Sequence, residues 1–287
     1  PADTGSPNRT AGGVNPYPNL RQVILLCLVV VPLVQFVLFP ALAFLSARIG
    51  LITTQVGSLA ILLFFVRFSR CRIEDLFLLN ATSAAALLAT VPAACGFALL
   101  AAECDLAVAR LLSHLDVDLP LIVQRTLIEV QIVRSVGEAA TTFVAVVLLP
   151  GLYEELLFRG FVFVSLYAHF GAVRTLLMSS LMFAVLHLSP AQLPAHFLIG
   201  LFLGAIVYWT HSIYPAVVAH MANNLVSVVG INVRTYTGVD VLGTSQSLPL
   251  PVLLAAVVLL WLGIRVLMRQ RPLLPLVPHE ARETTGK

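Results

Sequence analysis

Apolar residues in this chain run in long unbroken blocks, separated by short polar or Pro/Gly-rich breaks. A membrane-spanning helix needs roughly 20 mostly apolar residues, so block length rather than alternation is the primary signal. The blocks predict spans at about Val23–Leu45, Leu51–Val66 and Ser83–Leu100. A long fourth helix begins near Gly137, and further spans follow at about Val173–Leu188, Ala195–Trp209, Tyr214–Val229 and Pro251–Met268. The expected fold is therefore all-α, a polytopic transmembrane helix bundle of about eight spans. Pro150 and Gly151 interrupt the fourth helix. A proline there frees a backbone carbonyl that a neighbouring helix or a wet cavity must satisfy, so a kink is expected.

The breaks carry the charge. Arg67, Arg70, Arg72, Glu74 and Asp75 between the second and third spans read as a solvated loop with an interfacial turn of helix. From Glu103 to Arg134, acids, His114 and Pro120 mix with apolar residues at partial helical period. That fits a connection with an interfacial amphipathic helix, which could also gate lateral entry. Residues 1–20 are polar and rich in Pro and Gly and read as a flexible tail, with no cleavable signal peptide expected ahead of the first span. The bundle is assigned to residues 21–271, with its motif core at 137–230, and 272–287 form a C-terminal tail. Gly200 and Gly204 in the sixth span make a small-xxx-small pair, read as close helix packing.

Composition agrees. Fifty-nine per cent of the 287 residues are hydrophobic and 11 per cent charged, and mean hydropathy is +0.96. These values belong to a membrane domain and leave no room for a separate soluble one. A formal charge of +3 is too small to argue for nucleic acid; the lipid bilayer is the partner that the basic residues address. Arg9, Arg21, the Arg67–Arg72 group, Arg159, Arg174 and the C-terminal arginines fall on one side, and Asp105, Asp116 and Asp118 on the other. That asymmetry puts both termini in the cytoplasm. The only Lys is Lys287, a bias expected of a GC-rich bacterial genome and hence of a bacterial inner membrane. Cys27, Cys71, Cys95 and Cys104 lack disulfide or zinc-ligand spacing and read as apolar filler.

Against this background, Glu154, Glu155 and Arg159 stand out. A charge at the centre of a spanning helix costs roughly 2.5 to 3.5 kcal/mol on the mildest scale, so such a cluster is a functional hypothesis by default. Glu155 and Arg159 are four apart and can pair on one face, while Glu154 is rotated by about 100 degrees and left free. The fifth span adds His187 with Phe183 four residues before it, and the seventh adds His220 and Asn224, again four apart. The remaining histidines sit elsewhere: His114 and His279 read as solvated, and His169, His196 and His211 as interfacial.

Hydrolysis needs such a set. A carboxylate in an apolar setting can take a proton from water, and an imidazole with an amide can hold the developing oxyanion. Zinc would want three or four ligands, which Glu154, His187 and His220 could begin to supply. No HExxH pair occurs, and Asn224 suits an oxyanion better than it suits the outer shell of a metal-bound histidine, so a metal-free site is favoured.

The residues Glu154-Glu155-x-x-x-Arg159, Phe183-x-x-x-His187 and His220-x-x-x-Asn224 resemble the EExxxR, FxxxH and HxxxN motifs of the CPBP or Abi family. These are the CAAX prenyl endopeptidase and bacteriocin-processing membrane proteases. All three motifs are complete and in order, with His187 lying 33 residues after Glu154 and His220 33 after that. The resemblance implies that Glu154 is the catalytic base, braced by Glu155 and Arg159. It implies that His187 orients the water or shares the proton and that His220 and Asn224 hold the oxyanion. The substrate expected is a membrane-associated protein or peptide, cut in C-terminal processing, sorting or peptide maturation. A non-catalytic immunity or assembly protein and a proton-coupled transporter are the alternatives.

Overall fold

The computed structural model describes residues 17–43, 46–69, 71–115, 128–187, 189–243, 245–270 and 276. Among them every regular element is helical and no strand occurs. Eight helices matter for the site: α1 (residues 20–43), α2 (Ala47–Ser69), α3 (Ala84–His114), α4 (Val136–Phe170), α5 (Ala172–Leu186), α6 (Leu193–Thr210), α7 (Tyr214–Thr237) and α8 (Leu250–Leu267). Seven of these are long and apolar enough to cross a membrane, and α5 is apolar but shorter, so the chain is an integral membrane protein. Leu88, Val173 and Phe68 are among its most exposed residues, as expected of side chains that face lipid.

Local chemistry sets the ends. Asn19 and Gln22 form a reciprocal capping box at the start of α1. Ser83 and Ser135 cap α3 and α4 by accepting backbone N–H groups three residues on. Gly171, at φ 73°, lets α4 turn directly into α5, a conformation costly for any residue with a Cβ.

Three sequence expectations change. The third helix does not end near Leu100 but runs for 31 residues to His114, so Glu103–His114 continues that helix. Its acids find partners or burial there: Glu103 accepts from the Leu248 backbone. Residues 116–127 of the expected connection, including Asp116, Asp118 and Pro120, lie outside the described residues, as do Arg9, Arg70, Arg271 and His279. The folded body also begins before residue 21, since Tyr17 is buried, packs edge-on to His169 and precedes the cap at Asn19. Finally, Arg159 is not an interfacial charge that orients the protein. It is buried within α4, where a carboxylate neutralises it.

The length of α5 sets it apart. Fifteen residues reach only about 22 Å, short of the roughly 30 Å hydrocarbon layer that the longer helices can cross. A single 3₁₀ turn at Pro190–Gln192 then reverses the chain into α6. The two helices pack closely along Gly200, where an added Cβ would lie 2.9 Å from Ser180 Cα, as the glycine pair leads one to expect.

Helix α4 is widened twice, by π-helical turns at Phe143–Leu148 and Leu156–Val162 that flank the segment carrying both glutamates. Such turns cost backbone hydrogen-bond geometry and recur at functional sites. Pro150 offers no N–H to the carbonyl four residues earlier, that of Val146, and the Asn224 amide of α7 donates to it at 2.9 Å. Gln55 of α2 does the same for the Ala145 carbonyl at 3.0 Å. Side chains of neighbouring helices thus satisfy backbone that lipid could not.

Candidate active site

Glu155 and Arg159 are held both by one another and by neighbouring helices. Glu155 and Arg159 face one another across one turn of α4, with Arg159 Nη1 donating to Glu155 Oε1 at 2.9 Å. Both are almost fully removed from solvent, at 0 and 1 per cent side-chain exposure. Arg159 Nη2 donates to the Gly200 carbonyl at 3.2 Å, and its guanidinium lies 4.6 Å from the Phe183 ring centre. A buried charge is tolerable only when paired and hydrogen-bonded in this way.

Helix α7 enters through His220. Its Nδ1 lies 2.8 Å from Glu155 Oε1, the same oxygen that Arg159 holds. The approach depends on Gly151, since a Cβ there would meet Met221 Cγ at 2.4 Å and the Met221 backbone nitrogen at 3.4 Å. From α5, His187 anchors its Nδ1 on the Phe183 carbonyl at 2.7 Å.

These anchors fix the tautomers. A carbonyl or carboxylate oxygen accepts, so Nδ1 of each imidazole carries a hydrogen, and in the neutral form of each ring Nε2 presents a lone pair. Both lone pairs face Glu154 Oε2, at 3.6 Å from His187 Nε2 and 3.9 Å from His220 Nε2. Neither separation is a hydrogen bond. Glu154 Oε2 is itself buried without a hydrogen-bond partner. Three acceptors therefore converge on one point, an arrangement that calls for a species bringing hydrogens, such as water, between them.

Phe183 is the apolar hub. Its ring contacts Phe158, His187, His220 and His196, with centroids 5.1, 4.4, 5.9 and 6.3 Å away. Of the residues singled out from sequence, Glu154, Glu155, Arg159, Phe183, His187 and His220 meet here. Asn224 shares a face of α7 with His220, but its amide goes to Val146 in α4, and its carbonyl oxygen accepts from Asn223 at 3.3 Å.

Sequence reasoning missed His196. It lies in the first turn of α6, stacked on His187 with ring centres 4.0 Å apart. The signal was available in Ser189-Pro190, since a reversal there returns the chain past His187. Gly200 and Gly151 also gain roles that spacing did not reveal.

The fit to zinc divides. Zinc ligands at about 2.0 to 2.2 Å from the metal would stand about 3.4 Å apart, and the separations above are wider. Among the described residues no group of three or more His, Cys, Asp or Glu side chains is set to hold a metal ion. The outer hydrogen bonds are another matter. His220 leans on a carboxylate and His187 on a carbonyl, the partners whose absence had counted against a metal-bound histidine. Asn224 is therefore no argument in either direction.

All four cysteines are free. No curated protein and no solved structure matches the chain. Residues 137–226 match the family model for type II CAAX prenyl endopeptidase, Rce1-like. That stretch runs from the start of α4 through Asn224, carries all three motifs and is similar to the CAAX-type intramembrane proteases.

Proposed function

We propose that the chain is an intramembrane endopeptidase in which Glu154 activates a water molecule to hydrolyse a peptide bond. The observation that carries this reading is the convergence of His187 Nε2 and His220 Nε2 on the unpartnered Oε2 of Glu154. A water there donates one hydrogen to the carboxylate and is oriented by the imidazoles. Its oxygen attacks the substrate carbonyl carbon, its proton passes to Glu154, and the carbonyl oxygen takes the negative charge. When the C–N bond breaks, the same proton leaves with the amine. Asn224 has a second amide hydrogen for the oxyanion beyond the one given to Val146. His220 can assist only once it has accepted a proton at Nε2, because its Nδ1–H is committed to Glu155. Glu155 and Arg159 hold α4 and α7 in register and need not touch substrate.

The substrate in this reading is a membrane-associated protein or peptide, cut near the lipid interface in C-terminal processing, sorting or peptide maturation. The reading sets the protein in a bacterial inner membrane with both termini cytoplasmic, supported by the grouping of Arg21, Arg67 and Arg174 under the positive-inside rule. The test is mass spectrometry of peptide termini in membrane fractions from cells carrying the wild type or Glu154→Gln. Termini that vanish in the variant, with the protein still folded, support the proposal. Identical termini point instead to a non-catalytic membrane protein, and Glu154-dependent solute flux into liposomes without cleavage points to a transporter.

A further inference from the structure

The 3₁₀ turn joining α5 to α6 brings a second imidazole, that of His196, against the ring of His187. His196 repeats the local arrangement of His187. His187 Nδ1 is anchored on the carbonyl of Phe183 at 2.7 Å, and His196 Nδ1 on the carbonyl of Gln192 at 2.8 Å, each four residues back along the chain. The two rings stack with centres 4.0 Å apart and planes 36° from parallel, and both contact Phe183.

His187 alone is poorly secured. It caps the end of a helix, its side chain is 25 per cent exposed, and its catalytic nitrogen lies 3.6 Å from Glu154 with no direct hydrogen bond to hold it. Phe183 bounds one part of its ring, and His196 bounds another from across the turn. Resting on the hydrolytic reading above, we infer that His196 is a positioning residue, whose stacked ring keeps the His187 imidazole aligned so that Nε2 faces Glu154. What the role requires is a flat ring at position 196, held by the fold.

The test compares His196→Phe and His196→Ala with wild type and Glu154→Gln in the full-length protein, checked for equal thermal unfolding. The probes are the Glu154-dependent peptide termini and the ¹⁵N NMR shifts of histidine-labelled protein in detergent. The inference expects His196→Ala to lose cleavage by about tenfold or more, as misalignment at a reacting centre does, and to turn the single Nδ1–H tautomer of His187 into a mixture. His196→Phe keeps the stack, so it retains most of the rate and the single tautomer. An unchanged His187 signal and rate in His196→Ala would overturn the inference, as would a folded His196→Phe as inactive as His196→Ala. If wild type and Glu154→Gln release the same termini, the hydrolytic reading fails instead, and the NMR comparison still decides whether the stack positions His187.

Discussion

Nδ1 of His220 and Oε1 of Glu155 are 2.8 Å apart, and that same oxygen receives Arg159 at 2.9 Å. One carboxylate oxygen therefore ties a catalytic candidate on α7 to a cation on α4. Glu155 serves two elements at once, whereas its neighbour Glu154 is left to face the imidazoles.

Removing one member of that buried pair strands the other. Glu155→Ala leaves Arg159 charged and nearly without solvent, a change expected to destabilise by about 3 to 5 kcal/mol. The double replacement Glu155→Met with Arg159→Met removes both charges and should cost less than the single change. Thermal unfolding in detergent measures both. Equal stability of Glu155→Ala and wild type would show that the pair does not brace the site.

Pro150 and Asn224 make a second coupled pair. Asn224→Leu deprives the part-buried Val146 carbonyl of its donor, at a cost of about 1 kcal/mol or more. Pro150→Ala restores an N–H four residues on, so the double variant should recover stability, with a coupling of about 1 kcal/mol or more. Cleavage should not recover, because the second amide hydrogen of Asn224 is still missing. Recovery of both stability and cleavage would assign Asn224 to the backbone alone.

The two close approaches differ in what they can forgive. At Gly151 an added Cβ meets the flexible Met221 side chain, so Gly151→Ala should cost about 1 to 3 kcal/mol and be relieved by Met221→Ala. At Gly200 the Cβ meets the Ser180 backbone, and the glycine carbonyl also receives Arg159. Gly200→Ala should therefore be worse, with no rescue from trimming Met221. Unfolding temperatures of the three variants decide, and equal losses at both glycines would contradict the packing described.

How much of this could be read from the residues follows from what spacing can encode. Block length was enough for the helices, because lipid allows little else to cross it, and four-residue spacing was enough to pair Glu155 with Arg159. Spacing could not reveal that Glu103–His114 continues α3. Acids and His114 there looked like an interface, whereas Glu103 accepts from the Leu248 backbone. Nor could it find His196, whose place beside His187 depends on a one-turn reversal between α5 and α6. The same limit applied to Asn224, since only the fold brings it to the carbonyl that Pro150 releases.

Metal content addresses the outer hydrogen bonds that either chemistry would use. The metal-free reading predicts less than stoichiometric zinc in the purified protein and cleavage that survives chelators. Elemental analysis showing one zinc per chain, lost together with activity in His187→Ala and His220→Ala, would replace the metal-free account.

The most direct measurement follows from substrates identified by their new termini. One such substrate is reconstituted in liposomes with wild-type or Glu154→Gln protein of equal thermal stability, and the initial cleavage rate is recorded. A carboxylate that takes the proton from water predicts a loss of about 10² to 10⁴ in the variant, the range general-base catalysis supplies. Cleavage by Glu154→Gln at the wild-type rate would contradict the account.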